Sequence, residues 1–326
     1  MGKLRYACKI MSEMKKLAIV MDPIASIKPN KDTSLALLRA AQASGYQLFY
    51  IEIDGLYMRD GKPFAQAKEL EVFNTNTDYY RLGDDYSINL DAMDLVLMRK
   101  DPPVEQQYIY ATWVLSSCVH ARVINNPQAL RDCNEKVFAT QFPDLCPPNL
   151  ISNNIKDLKA FYQQYEDVIV KPLDGMGGKG IFRLTRNALN VNATLEMLSF
   201  TGTVPVMIEP FIPEIIHGDK RILLIDGEPI AYGLARIPSA DDRVRGNIAA
   251  GGSVKVKPLT QRDWEICHRL APELRKRGLF FVGIDVIGDY LTEINITSPT
   301  GLQEISRETS IDIAGQFFDL IEKAGS

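Results

Sequence analysis

The first part of the chain alternates between strand-like and helix-like patterns, and this alternation constrains the fold more than any other feature. Residues 17–22 form a short apolar run that ends in an acid, and residues 46–53 form a second run. Between them, residues 32–45 have a capping aspartate, a helix-forming interior and a glycine stop. This order predicts parallel strands joined by a right-handed crossover. We therefore predict a doubly wound α/β domain that continues to about residue 126.

The second half of the chain follows another pattern, in which antiparallel hairpins dominate. The dipeptide Asp226-Gly227 separates two strand-like runs, and Gly288-Asp289 separates two more. Such dipeptides favour the tight turns that join antiparallel strands. Between the two halves, residues 135–141 and 154–165 have helical patterns, and residues 167–171 have a strand pattern. We therefore predict α+β structure after the α/β domain.

Length, charge and cysteine content limit the classes of protein to consider. At roughly 150 residues per domain, 326 residues correspond to about two domains. The 41 acidic and 37 basic side chains leave a net charge of −4, which gives no reason to expect a general nucleic-acid or anionic-membrane binder. The five cysteines include no Cys-x-x-Cys pair, and neither an export signal nor a membrane span is evident. We expect a cytoplasmic protein with reduced thiols.

A glycine-rich loop at residues 174–180 lies between two strand-like runs. Its glycines allow several backbone N–H groups to converge on an anion, and Lys171 and Lys179 add positive charge at its two ends. The loop matches neither the P-loop pattern nor the glycine pattern of dinucleotide-binding folds. The residues alone leave two alternatives, a phosphate site and a hairpin tip without a ligand.

A second candidate site combines Asp285 with Glu293 and Asn295 across one predicted hairpin. Residues 293 and 295 point to the same side of their strand, and the turn places Asp285 opposite them. Three oxygen donors suit Mg²⁺, whereas Zn²⁺ favours histidine or cysteine, which this trio lacks. The alternative is a solvated polar face. The apolar residues that alternate with the acids indicate instead that the other face of the hairpin is packed.

Three arginines border the same region. Arg221 begins a strand, Arg236 ends the next one, and Arg245 lies in a glycine-rich loop at residues 238–253. Each alone is typical of a surface residue, but together they suit a carboxylate that is being phosphorylated. We expect the loop to be mobile and to close over the site. No histidine, serine or cysteine has the context of a nucleophile, so we expect electrostatic catalysis.

Several short motifs, in order along the chain, carry a specific resemblance. They are LMRKDPP at 97–103, LRDCNEK at 130–136, KPLDGMGG at 171–178, GDKR at 218–221, LARIP at 234–238, RGN at 245–247 with AAGG at 249–252, and LTEIN at 291–295 with TSPT at 297–300. From about Lys16 onward, the chain resembles prokaryotic glutathione synthetases, which are ATP-grasp ligases.

The resemblance implies an ATP-grasp fold in three parts. These are an N-terminal doubly wound α/β domain at residues 16–133, a small central lid at 134–205 and a C-terminal antiparallel α+β domain at 206–326. Residues 1–15 are expected to be a disordered extension. The family joins γ-glutamylcysteine to glycine with ATP, so the same reaction through an acyl phosphate is implied here.

The resemblance also implies roles for individual residues. ATP is expected to contact Lys136, Lys171, Gly175, Met176, Gly177, Gly178, Glu209, Pro210, Phe211, Ile212 and Asp219. The phosphates would lie at the two lysines and the glycine loop, the adenine at residues 209–212 and the ribose at Asp219. Mg²⁺, or Mn²⁺ as an alternative, would be bound by Asp285, Glu293 and Asn295.

The substrate side is implied in the same way. Arg221, Arg236 and Arg245 would contact the acyl phosphate and the tetrahedral intermediate, as the residues that carry catalysis. The peptide substrate would be bound by Met21, Asp22, Arg99, Ser298, Pro299 and Thr300. The family further implies a homotetramer with small-molecule substrates and with neither nucleic-acid nor membrane partners.

Two alternatives to this function stay open from the sequence. One is another ATP-grasp carboxylate–amine ligase, for instance one that forms D-alanyl-D-alanine or adds glutamate to a protein terminus. The other is a non-catalytic nucleotide-binding protein that keeps the fold. The complete set of oxygen donors argues against the second alternative, because a protein that only binds nucleotide does not need to position a metal for phosphoryl transfer.

Overall fold

The computed structural model describes residues 14–239 and 253–324. In these residues the strands form three sheets that follow one another along the chain. Almost all of the expected extension at residues 1–15, and the loop residues 240–252 with Arg245, lie outside the described residues. No helix in the described ranges has both the length and the apolar character needed to cross a membrane.

The first sheet has a parallel centre and an antiparallel edge. Its strands are β1 (Lys16–Val20), β2 (Gln47–Ile51), β3 (Leu56–Arg59), β4 (Lys62–Val72), β5 (Tyr80–Asn89), β6 (Leu95–Met98) and β7 (Arg122–Ile124). Their spatial order is β3-β4-β2-β1-β6-β7, and β5 pairs with β4. Strand β1 is parallel to β2 and β6, and helix α1 (Thr33–Ala43) connects β1 to β2, so the predicted β-α-β start is confirmed. The antiparallel strands β3, β4 and β5 were not predicted.

Strand β1 lies at the centre of this sheet and is buried on both faces. Ala18 and Val20 pack in one core with helix α2 (Gln106–Leu115), whereas Leu17 and Ile19 pack in a second core with α1 and helix α9 (Ile313–Ala324). Strands buried on both faces are apolar throughout, which explains why this run does not alternate. Both cores also contain residues of the third sheet, so the first and third sheets pack together.

The second sheet has a small core of its own. Its strands are β8 (Leu150–Ser152), β9 (Val168–Pro172), β10 (Phe182–Leu184) and β11 (Val206–Pro210), in the antiparallel order β10-β9-β11-β8. Helices α5 (Ile155–Tyr165) and α6 (Val191–Leu198) pack on it through the buried side chains of Leu158 and Leu195. Because β11 belongs to this sheet, strand pairing places the end of the central region after Pro210. The boundary expected from the sequence, between the lid and the C-terminal domain, lies after residue 205.

The third sheet is antiparallel throughout. Its strands are β12 (Asp219–Ile225), β13 (Glu228–Ile237), β14 (Ser253–Pro258), β15 (Phe281–Ile287) and β16 (Tyr290–Asn295), in the order β14-β13-β12-β15-β16. The predicted turns at Asp226-Gly227 and Gly288-Asp289 join β12 to β13 and β15 to β16, so both predicted hairpins are confirmed. The remaining helices are α3 (Pro127–Asp132), α4 (Glu135–Ala139), α7 (Gln261–Arg277) and α8 (Leu302–Thr309). Helix α4 packs against β16.

Candidate active site

A cavity of about 290 Å³ lies between the second and third sheets. The glycine loop and β9 line one side of it, and β12, β13, β15 and β16 line the other. The start of α4 and the segment that follows β16 also line it. This cavity therefore brings together most of the charged residues that the sequence analysis assigned to one site.

Alternation along β9 and β11 explains how charged side chains reach the cavity. Val168 and Val170 face the core of the second sheet, so Ile169 and Lys171 face the opposite way. The Nζ of Lys171 lies 2.8 Å from Oε1 of Glu209, and both side chains are almost fully buried. Burial lowers the pKa of Lys171, but the charge of the Glu209 carboxylate and its hydrogen bond raise the pKa by more than burial lowers it. The pKa of Lys171 therefore lies above its ordinary value. The lysine is therefore charged.

Lys136 enters the cavity from the first turn of α4. Asn134 caps this helix by accepting hydrogen bonds from the N–H groups of Lys136 and Val137. The Nζ of Lys136 donates to the carbonyl oxygen of Gly175 at 2.6 Å and lies 3.2 Å from Oε1 of Glu293. One lysine thus contacts both the glycine loop and a proposed metal ligand.

The glycine loop has a backbone that needs glycine. Gly177 and Gly178 have positive φ angles of 64° and 74°, which L-residues with side chains rarely adopt. At Gly175 a Cβ atom would lie 2.7 Å from Cγ of Pro172 and 3.1 Å from the carbonyl oxygen of Lys179. All four predicted loop residues, Gly175, Met176, Gly177 and Gly178, line the cavity.

Asp285 is at the centre of a buried charge cluster. Arg221 is its cross-strand neighbour and donates to both carboxylate oxygens, at 2.6 Å from Nε and 3.1 Å from Nη2. Arg236 lies 2.9 Å from Oδ2, and the side-chain amide of Asn295 donates to the same oxygen at 3.2 Å. Burial raises the pKa of Asp285, but the two guanidinium groups hold it well below its usual range. Glu293 pairs with Asp285 in register, as predicted from the hairpin.

Asp219 belongs to the same cluster. Its Oδ2 lies 2.5 Å from Nη2 of Arg236, while its Oδ1 is buried and has no hydrogen-bond partner among the described residues. Burial raises the pKa of Asp219 to about 7, opposed by the charge of Arg236 and reinforced by Asp285 and Glu293. The structure therefore places this predicted ribose contact beside the acids as well as on the cavity wall.

The donor set suits a hard divalent cation. Asp285, Glu293 and Asn295 offer carboxylate and amide oxygens, which Mg²⁺ prefers. Within residues 14–239 and 253–324, no three histidine, cysteine, aspartate or glutamate side chains are arranged to hold a metal ion as they stand. Because Asp285 is bonded to two arginines and Glu293 to Lys136, a metal would have to displace these contacts.

The predicted peptide-binding residues are divided between the cavity and the layer behind it. Ser298 and Thr300 line the cavity. Arg99 is buried behind them, where Nη2 donates to the carbonyl oxygen of Pro299 at 3.0 Å. Asp22 lies 2.9 Å from Nζ of Lys100, and Met21 packs in a hydrophobic core. The assignment of these residues to a peptide stays a prediction.

The predicted adenine segment reaches the cavity only in part. Glu209 lines it, whereas the ring of Phe211 lies beneath the guanidinium of Arg183, with 3.5 Å from Cζ to the ring centroid. Sequence reasoning missed a set of apolar side chains on the cavity wall, namely Ile169, Ile181, Ile215 and Ile287. Ile169 and Ile287 carried a usable signal, because Ile169 alternates with the buried valines of β9 and Ile287 lies two residues after Asp285 on β15.

Two family models match this chain. The N-terminal domain of prokaryotic glutathione synthetase matches residues 15–131, and the ATP-grasp domain of the same enzyme matches residues 135–310. A curated glutathione synthetase from Pseudomonas putida is 48% identical over 310 residues, which cover 94% of this chain and 98% of the relative. One from Xylella fastidiosa is 50% identical over 311 residues, with coverages of 95% and 99%.

Solved structures support the same fold. A crystal structure of D-cycloserine synthetase matches with a TM-score of 0.68 at 15% identity, over 95% of this chain and 99% of that one. A macrocyclase from Microcystis aeruginosa, bound to its precursor peptide, matches with a TM-score of 0.64 at 15% identity, over 94% and 99% of the two chains. At this identity the likeness concerns the fold alone.

Proposed function

The chain belongs to the prokaryotic glutathione synthetase family and is an ATP-dependent ligase that makes glutathione, and from this premise we propose how its residues divide the work. ATP would lie in the cavity between the second and third sheets, with its phosphates at Lys136, Lys171 and the glycine loop. The observation that carries this proposal is that one cavity is lined by both lysines, the loop and the acid cluster. The apolar side chains of Ile169 and Ile287 would flank the adenine.

A divalent metal is general in this family, and the oxygen donors favour Mg²⁺, with Mn²⁺ as an alternative. We propose that Asp285, Glu293 and Asn295 hold it. When bound, it would neutralise phosphate charge as the phosphoryl group is transferred. Arg221 and Arg236 already contact Asp285, so their guanidinium groups lie beside the place where the transferred phosphoryl group would be.

The proposed reaction has two steps. A carboxylate oxygen of γ-glutamylcysteine forms a bond to the terminal phosphorus of ATP while the bond to the ADP oxygen breaks. The glycine amine then attacks the acyl carbon, loses a proton, and phosphate leaves. Arg221 and Arg236 would stabilise the negative charge of both transition states. Arg245, which lies outside the described residues, is proposed to act with them.

The peptide would bind at the end of the cavity formed by Ser298 and Thr300, with Pro299 and Arg99 behind them. We further propose a cytoplasmic homotetramer with only small-molecule substrates. The described cysteines Cys118, Cys133, Cys146 and Cys267 are free thiols, which supports a reducing compartment. The tetramer is supported by the family resemblance.

A coupled ADP-release assay tests the proposed substrates. The expected result is ADP formation only when γ-glutamylcysteine, glycine, ATP and Mg²⁺ are all present, with glutathione identified by mass. D-alanine and glutamate serve as alternative acceptors, and a preference for either would support a different ATP-grasp ligase. Nucleotide binding without ADP release for any acceptor would instead support a non-catalytic binding protein.

A further inference from the structure

The segment that follows β16 is held in place by residues from distant parts of the chain. It connects the proposed metal ligand Asn295 to the proposed peptide-binding residues at 298–300. The side-chain amide of Asn125 donates to the carbonyl oxygen of Ile296 at 2.7 Å. Arg99 fixes the carbonyl of Pro299, as described above. These contacts hold carbonyl groups, and the N–H groups at the start of the segment need a separate partner.

Glu135 is that partner. Its Oε1 accepts hydrogen bonds from the backbone N–H groups of Ile296 at 2.8 Å and Thr297 at 3.1 Å. The Thr297 hydroxyl donates to the same oxygen at 2.9 Å. Ile296 and Thr297 are both buried, so water cannot easily replace the carboxylate. Burial raises the pKa of Glu135 and the nearby charge of Glu293 adds to this shift, while the bonds from Thr297 and Ile296 act against it.

Glu135 and Lys136 are adjacent in the first turn of α4, but they contact different parts of the site. Lys136 contacts the glycine loop and Glu293, on the proposed ATP and metal side. The hydrogen bonds of Glu135 instead come from the segment after β16, on the proposed peptide side. A rigid turn of helix therefore sets the distance between the two sides.

We propose that Glu135 is a positioning residue for the peptide substrate, which it places against the ATP phosphates by fixing residues 296–300. This inference rests on the proposed function, because it assumes that the peptide binds at this end of the cavity. Glu135 would act through the segment and would not itself contact the nucleotide. Its loss should consequently weaken peptide binding and leave ATP binding unchanged.

Glu135→Ala and Glu135→Gln test this inference. The alanine variant leaves three buried donors without their acceptor, a loss typically equivalent to about tenfold or more in an equilibrium constant. We expect KM for γ-glutamylcysteine to rise by about tenfold or more, with the ATP dissociation constant from calorimetry within about twofold of wild type. Gln keeps an acceptor oxygen at the same position, so its KM should return to within about threefold of wild type.

A second variant covers the case in which Glu135→Ala does not fold. Thr297→Val keeps the shape of the side chain and removes only its hydroxyl, so it should raise the peptide KM by a few-fold without changing ATP affinity. Glu308→Ala, at an exposed carboxylate on α8, is the matched control and should be kinetically normal.

Three outcomes would overturn the inference. They are an unchanged peptide KM in Glu135→Ala, an equal loss of ATP and peptide affinity, and no recovery in Glu135→Gln. If the wild-type enzyme itself released no ADP with γ-glutamylcysteine and glycine, the proposed function would fail instead. A fully active wild type with a normal Glu135→Ala variant would refute this inference alone.

Discussion

Replacing Lys171 with methionine should lower both the stability of the protein and its affinity for ATP. Lys171 and Glu209 lie on the same face of neighbouring strands, and their side chains are only 6% and 9% exposed. Methionine removes the positive charge at similar length and leaves the Glu209 carboxylate buried without its partner.

The magnitude follows from burial. Removing one partner of a buried ion pair typically costs about 3–5 kcal/mol, because the remaining charge stays desolvated. At about 2 cal/mol/K of unfolding entropy per residue, a chain of 326 residues has about 0.7 kcal/mol/K, so Lys171→Met should lower Tm by roughly 4–7 °C. Loss of a cation at the phosphates should weaken ATP binding by about tenfold or more.

A double-variant cycle separates the two effects. Lys171→Met combined with Glu209→Gln leaves no buried charge at the pair, so Tm should recover to within about 2 °C of wild type while ATP binding stays weak. Glu209→Gln alone keeps the lysine, so it should be destabilised but should bind ATP about tenfold or more tightly than Lys171→Met does. Tm is measured by calorimetry and ATP affinity by titration below the transition.

Two results would refute this reasoning. Wild-type ATP affinity in the double variant would show that Lys171 does not contact the phosphates. A wild-type Tm in the Lys171→Met variant would show that the ion pair contributes no stability. Tm is expected to depend on the ion pair between Lys171 and Glu209, whereas ATP affinity is expected to depend on Lys171 alone. Each of the two results would therefore contradict one of these expectations and not the other.

Two further predictions concern the opposite walls of the cavity. Glu293→Gln should lower kcat by about 100-fold or more. It also removes the carboxylate partner of Lys136, whose side chain is only 6% exposed, so Tm should fall as well; near-wild-type kcat at saturating Mg²⁺ would contradict the metal assignment. Gly175→Ala should weaken ATP binding by about tenfold, because its Cβ would overlap Pro172. Gly83→Ala, where the nearest atom lies at 3.4 Å, is the control, and equal ATP affinity in both variants would contradict the proposed role of the loop.

Local sequence patterns were sufficient to predict those helices and hairpins whose caps or turns are determined by a few neighbouring residues. Asp32 caps α1, and Asp226-Gly227 forms a hairpin turn in which both residues have positive φ. The turn between β3 and β4 has the same dipeptide, Asp60-Gly61, again with two positive φ angles, so this hairpin was predictable by the same rule. Strand β5 had little signal, because most of its residues are exposed and it pairs only with β4.

Contacts of the site that lie within one hairpin could be predicted from the sequence. Contacts between strands that are distant in the chain could not, because they depend on the order of strands in the sheet. Asp285 and Glu293 are opposite each other on sequential strands, which register alone could indicate. Arg221 meets Asp285 only because β12 pairs with β15, which lies more than fifty residues later in the chain. Glu135 likewise meets residues 296 and 297 through tertiary packing of α4 on β16.

The cations of the site also stabilise the fold that presents them. In this structure Lys136, Lys171, Arg221 and Arg236 each contact a carboxylate of the same chain. Buried charges without partners would cost several kcal/mol each, so these pairings allow charged groups to be held at a largely desolvated site. A phosphate that enters the cavity must then compete with Glu209, Glu293 and Asp285 for the same donors. A metal bound by Asp285 and Glu293 would remove the competition from those two acids, which gives a physical reason for nucleotide and metal to bind together.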